Sequence, residues 1–211
     1  MTRLMDIGLE RLENMILDMA SHAQNTIQMA IDAYINNENL SQQIFQRSEE
    51  ERMLQDEISE LSVEMLARYQ PLASDLRFIK ACMEVSYGFS RFERYAYDIS
   101  QIMSIYGDIS SCDKSSITKA GIQANEMIKL SIQAFKERNT AIARKIIIMD
   151  DIVDEIYSTF VKQSMKEDNK STMCIVSITL ILRYLERIAD HATYIAESVI
   201  YIKTGERSVR K

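Results

Sequence analysis

The chain has 211 residues, 46% of them hydrophobic, with one proline, five glycines and no tryptophan. That is enough apolar material for a packed core and too few turn formers for a sheet of tightly connected strands. A formal net charge of −6 excludes a general nucleic-acid binder, which needs a positive field.

The opening residues Met1 to Gly8 carry no apolar signal core. The spacing predicts a first helix over about 6–37. In it Leu12, Ile16, Met19, Ala23, Thr26 and Ala30 step alternately by four and three, a heptad seam. The polar run Asn36-Asn37-Glu38-Asn39 breaks it. A second helix, heavily charged at Glu49, Glu50, Glu51 and Arg52, runs to Tyr69. Pro71 marks the next boundary, because the residue before a proline is pushed out of helical geometry. A third helix covers 72–105.

The segment from Tyr106 to Ser115, with Gly107, Asp108, Ser110 and Ser111, reads as a linker. Helices over about 114–137, 140–166 and 170–203 follow. The last carries a second seam, Ile178, Leu182, Leu185, Ala189, Ala192, Ala196 and Val199, and Gly205 suits the left-handed position just past its end. The tail Arg207, Arg210, Lys211 reads as a solvated terminus. The longest apolar run, Cys174 to Leu182, contains Ser177 and Thr179 and falls short of the ~20 residues a membrane span needs. No direct membrane insertion is expected. Cys82, Cys112 and Cys174 are scattered and odd in number, which predicts reduced thiols in a cytoplasmic protein, packed as small hydrophobes.

Arg183-Tyr-Leu-Glu186-Arg187-Ile-Ala-Asp190 has a weaker copy in Arg91-Phe-Glu93-Arg94-Tyr-Ala-Tyr97-Asp98. A motif placed twice predicts a duplicated unit. The fold class is therefore all-α, with two tandem three-helix bundles, residues 1–106 and 113–205. Glu186 and Asp190 are one turn apart, as are Asp150 and Asp154 on the fifth helix. Like charges at that spacing repel by about 0.2–0.5 kcal/mol. Two readings relieve this: a solvated acidic face offset by Arg183 and Arg187, or a bound cation held by facing carboxylates. In the first repeat Tyr97 stands where the second has Asp190. Glu93 and Asp98 then lie about 140° apart at 100° per residue, off a common face. His22 lies four residues after Asp18 and reads as a surface partner rather than a ligand. No Glu-x-x-His pair, phosphate loop or nucleophile elbow is present, so no enzyme is expected.

The stretch Arg183 to Val199 resembles the signature of the PhoU family. Gln70-Pro71-Leu-Ala-Ser-Asp75-Leu-Arg77-Phe-Ile79 resembles that family's other hallmark, and Ala141 to Tyr157 its acidic helix. The resemblance implies a pair of three-helix bundles, a homodimer and a cytoplasmic regulator of inorganic phosphate homeostasis. It implies contact with the ATPase subunit of the high-affinity phosphate ABC transporter, and in many bacteria restraint of a phosphate-sensing histidine kinase. It also implies iron or zinc held through E(D)xxxD motifs. Here those positions are Glu186, Asp190, Asp150 and Asp154, with Glu93 and Asp98 as a degraded first-repeat counterpart. The first repeat departs further: Ser48 stands where the second has Asp150, and Ser177 in the second replaces the acid kept as Glu84. Asp75, in the first turn after Pro71, also suits a helix start through the helix dipole. The alternatives in function are a metal-binding helical protein, carrying iron, zinc or manganese, and an accessory subunit of another phosphate permease.

Overall fold

The computed structural model describes residues 4–166 and 171–206. The basic tail Arg207, Arg210, Lys211 and the expected start of the last helix at Lys170 lie outside these residues. Six helices follow in order: α1 Leu4–Asn36, α2 Ser41–Tyr69, α3 Ala73–Tyr106, α4 Ser115–Glu137, α5 Thr140–Ser164 and α6 Thr172–Thr204. Each break has a local cause. Gln70 turns left-handed before Pro71, and its N–H closes on the Leu66 carbonyl. Gly107 ends α3 at φ 70°. Arg138 ends α4 at φ 49°, and the Asn139 side chain accepts from the N–H groups of Ala141 and Ile142 to start α5. Gly205, at φ 75°, closes α6 through its N–H to the Tyr201 carbonyl.

Both heptad seams are interior: every residue of the α1 seam and every residue of the α6 seam is buried. The helices form two three-helix bundles, α1–α3 and α4–α6. The bundles join along α3 against α6 and α1 against α4, whereas α2 and α5 pack only within their own bundles. This leaves α2 and α5 as outer helices with few buried positions: Ile44, Glu51, Ile58, Ser62 and Met65 on one, Ala143, Ile146, Val153 and Phe160 on the other. Ile44, Glu51 and Ile58 repeat at the heptad spacing of Ile146, Val153 and Phe160. Glu51 thus holds an interior position that the second repeat fills with valine.

The α3–α6 seam is close. A Cβ placed on Gly88 would stand 2.8 Å from Ile195 Cγ1. Beside it Tyr95 stacks on Tyr184 and meets the His191 ring edge-on. Gly88→Val forces the two helices apart, since close-packed interiors do not absorb added methyls. The expected cost is about 2–3 kcal/mol, read as a lower denaturant midpoint with unchanged slope. An unchanged midpoint would contradict the close seam. Polar ties cross the other junction: Arg138 to Glu13 at 3.1 Å, Lys114 Nζ to the Ile35 carbonyl at 2.8 Å, and Asn125 Nδ2 to Gln28 Oε1 at 2.6 Å.

One expectation is overturned. Cys112 and Cys174 are joined as a disulfide, with Cα atoms 5.3 Å apart. The linker folds back over the start of α6 and brings together two thiols that the sequence separates by 62 positions. Only Cys82 is free, and it is buried, its thiol pushed up by desolvation. For that residue the reading as a small hydrophobe is correct. No helix among the described residues is long and apolar enough to cross a membrane.

Candidate functional site

Of the predicted second-repeat acids, Asp150 and Asp154 lie on α5 and Glu186 and Asp190 on α6, two helices that pack together. Burial raises the Asp154 carboxyl above its usual range, and the negative charges of Glu186, Asp190 and Asp151 push it the same way. Asp154, Glu186 and Asp190 therefore share one field. Glu186 is bound by Arg183 on its own helix, the offset the spacing predicts. Asp190 also lines a recess of about 190 Å³ with Tyr87, Arg187, His191 and Tyr194, on the α3–α6 face. Burial there lowers the His191 pKa, and its Nδ1–H donates to the Arg187 carbonyl. Asp150, four residues before Asp154, is partly buried. Among the described residues no three His, Cys, Asp or Glu side chains are grouped as a metal ion needs.

The first repeat holds the more secluded acids. Glu93 on α3 is 0% exposed, and neither carboxylate oxygen has a hydrogen-bond partner. Glu51 on α2 is 2% exposed; its Oε1 lies 2.9 Å from His22 Nδ1 on α1, and its Oε2 is unpaired. His22 is thus a surface partner, as expected, but of Glu51 across the bundle rather than of Asp18 on its own helix. Burial pushes Glu51 up to about 8, with help from Glu93 and Glu50. Burial pushes Glu93 up to about 7, with Thr26 and Arg47 pulling it down. Both carboxyls open on a cavity of about 460 Å³ lined also by His22, Thr26, Gln43, Gln46, Arg47 and Glu50. Asp98 is not part of it. It pairs with Arg94 at 3.2 Å, and burial raises its pKa despite that partner and Arg91.

The Asp75–Arg77 hallmark has a structural task in its arginine. Arg77 Nε donates to the carbonyl of Ile202 at 3.2 Å, capping the end of α6 from the other bundle. Glu84, the acid kept in the first repeat, pairs with Lys80, while Ser177 in the second is buried with its hydroxyl on the Cys174 carbonyl.

A sequence profile of the PhoU domain matches residues 16–103 and again 117–199, one copy for each bundle. The chain belongs to the PhoU family. A phosphate-specific transport system accessory protein, the PhoU homolog of Clostridium acetobutylicum, is 30% identical over 214 residues, covering 98% of both chains. The PhoU homolog 1 of Methanothermobacter thermautotrophicus is 29% identical over 94% of each. The crystal structure of PhoU from Pseudomonas aeruginosa superposes with a TM-score of 0.87 at 28% identity, over 95% of this chain and 99% of the other. The phosphate transport system regulatory protein PhoU of Streptococcus pneumoniae, at 22% identity and a TM-score of 0.90, has the same fold. Within the PhoU frame, the site that sequence reasoning missed is the Glu51–Glu93 pair. Its signal is an acid at a heptad core position, Glu51 between Ile44 and Ile58, hidden by the charge run Glu49 to Arg52 around it.

Proposed function

We propose that this protein regulates inorganic phosphate homeostasis by restraining uptake through a high-affinity phosphate ABC transporter, acting from the cytoplasm by protein–protein contact and without chemistry of its own. The observation that carries this reading is the two-copy PhoU match, joined to full-length likeness to relatives named for phosphate-specific transport. The contact is with the transporter's ATPase subunit, and the regulator works as a homodimer. Where the cell has a phosphate-sensing histidine kinase, the same protein restrains it. Capture of the tagged protein from cells at high and at low phosphate tests the contact. The ATPase subunit should be retained at high phosphate; its absence from both samples overturns the proposal. Retention of a different phosphate permease instead would assign the protein as that carrier's accessory subunit.

A second reading has its own support. The shared field of Asp154, Glu186 and Asp190 favours a cation between α5 and α6. Iron, zinc or manganese would there displace Arg183 from Glu186. Native protein is then expected to carry stoichiometric metal that Glu186→Ala with Asp190→Ala removes. Metal-free native protein by elemental analysis sinks this reading and leaves the first intact.

A further inference from the structure

The cavity of the first bundle is built from all three of its helices: His22 and Thr26 from α1, Gln43, Gln46, Arg47, Glu50 and Glu51 from α2, and Glu93 from α3. Oε2 of Glu51 is buried there without a partner, and the buried Glu93 carboxylate has no close one: the Thr26 hydroxyl is near enough to lower its pKa as a donor but falls short of a full hydrogen bond. Buried polar atoms are normally hydrogen-bonded, so each orphan needs a reason. At pH 8 and above, where the two carboxyls release their protons, they only accept, and what completes them must bring N–H or O–H donors. Arg47 acts on Glu93 through its charge without bonding either oxygen.

The chemistry of the occupant follows by elimination. In the ionised form Glu50, Glu51 and Glu93 outnumber the one arginine of the lining and repel phosphate and other anions. A single metal ion needs several donors converging on one point, and no such group of three occurs among the described residues. A guanidinium presents five N–H donors in a flat fork that matches carboxylates two at a time, and a primary ammonium presents three. An alkyl stem can lie along Gln43 and Gln46 at the open side.

We propose that this cavity is a socket for the guanidinium or primary-ammonium end of an alkyl chain, held by Glu93 and Glu51. The occupant is either a free small amine or a basic side chain, and the chemistry of the socket is the same for both. The proposal does not depend on the phosphate reading: an amine-binding bundle and a transporter contact can fail separately.

The test is thermal unfolding of the full chain at pH 8 with agmatine, with a short arginine-containing peptide, and with choline chloride at equal ionic strength. Choline is a cation with no N–H donor. Agmatine at about a hundred times its Kd should raise Tm by roughly 5 °C over choline. The rise should vanish in Glu51→Gln/Glu93→Gln. It should vanish also in Gln46→Arg, an exposed wall position from which the chain's own guanidinium fills the socket. Binding of agmatine alone assigns a free amine, and binding of the peptide assigns a basic side chain; either supports the socket. A rise no greater than with choline, or one that persists in both variants, overturns it. So does a rise with zinc or manganese that agmatine does not compete away.

Discussion

Between pH 5 and pH 8.5 the protein loses about 3–5 kcal/mol of stability from two buried carboxyls, and Glu51→Gln/Glu93→Gln loses most of that slope. The reason is the seclusion of the pair. In the unfolded chain each glutamate releases its proton near 4.5, while in the folded chain Glu93 holds it to about 7 and Glu51 to about 8. Across that interval the folded state binds more protons, so each step up in pH favours unfolding, and the loss is complete above about 8. One unit of pKa corresponds to about 1.4 kcal/mol. Part of the rise at Glu51 comes from the charge of Glu93, so the two effects overlap rather than sum. The loss should lower Tm by roughly 10 °C. Glutamine keeps the shape and removes the ionisation, so the double variant should exceed the parent in Tm at pH 8.5 and approach it at pH 5. Parallel curves for parent and variant would show that the pair is solvated.

Reduction of the Cys112–Cys174 bond, or Cys112→Ser with Cys174→Ser, should destabilise the protein by about 4 kcal/mol. The estimate follows from the chain entropy released when a loop of this length opens. The closed loop spans 62 positions and holds the linker between the bundles against the start of α6. Non-reducing peptide mapping should recover the two cysteines joined and Cys82 alone as a thiol. Equal melting curves with and without reductant, with three thiols titrating in unfolded protein, would contradict the bond.

The helices and the duplication were legible in the sequence because their signals are local. The seams of α1 and α6, the break at Pro71 and the glycine at 205 act over one or two turns, and all are where the spacing puts them. The spacing of the acids within α5 and within α6 was legible too, but it is the packing of α5 on α6 that brings Asp154 into the field of Glu186 and Asp190. What was not legible depends on distances between helices. The disulfide joins a linker to a helix in the far bundle, and nothing local marks either cysteine. Arg77 reaches the end of α6, so its role belongs to the junction and not to its own motif. Glu51 was submerged in a charge run, and only the packing of α2 against α1 and α3 separates that one acid from its exposed neighbours. The first repeat lacks the second carboxylate of its motif at Tyr97, yet it encloses a deeper acidic site, because the missing charge is supplied by α2. Motif loss along one helix is a poor guide to the charge that three helices bring together.

The most direct measurement is phosphate uptake by cells with and without this gene, grown in excess phosphate. The account predicts faster, unrestrained uptake in the deletion, returned to the parental rate by the wild-type chain. Uptake equal in both strains, with the protein demonstrably expressed in the parent, would contradict it.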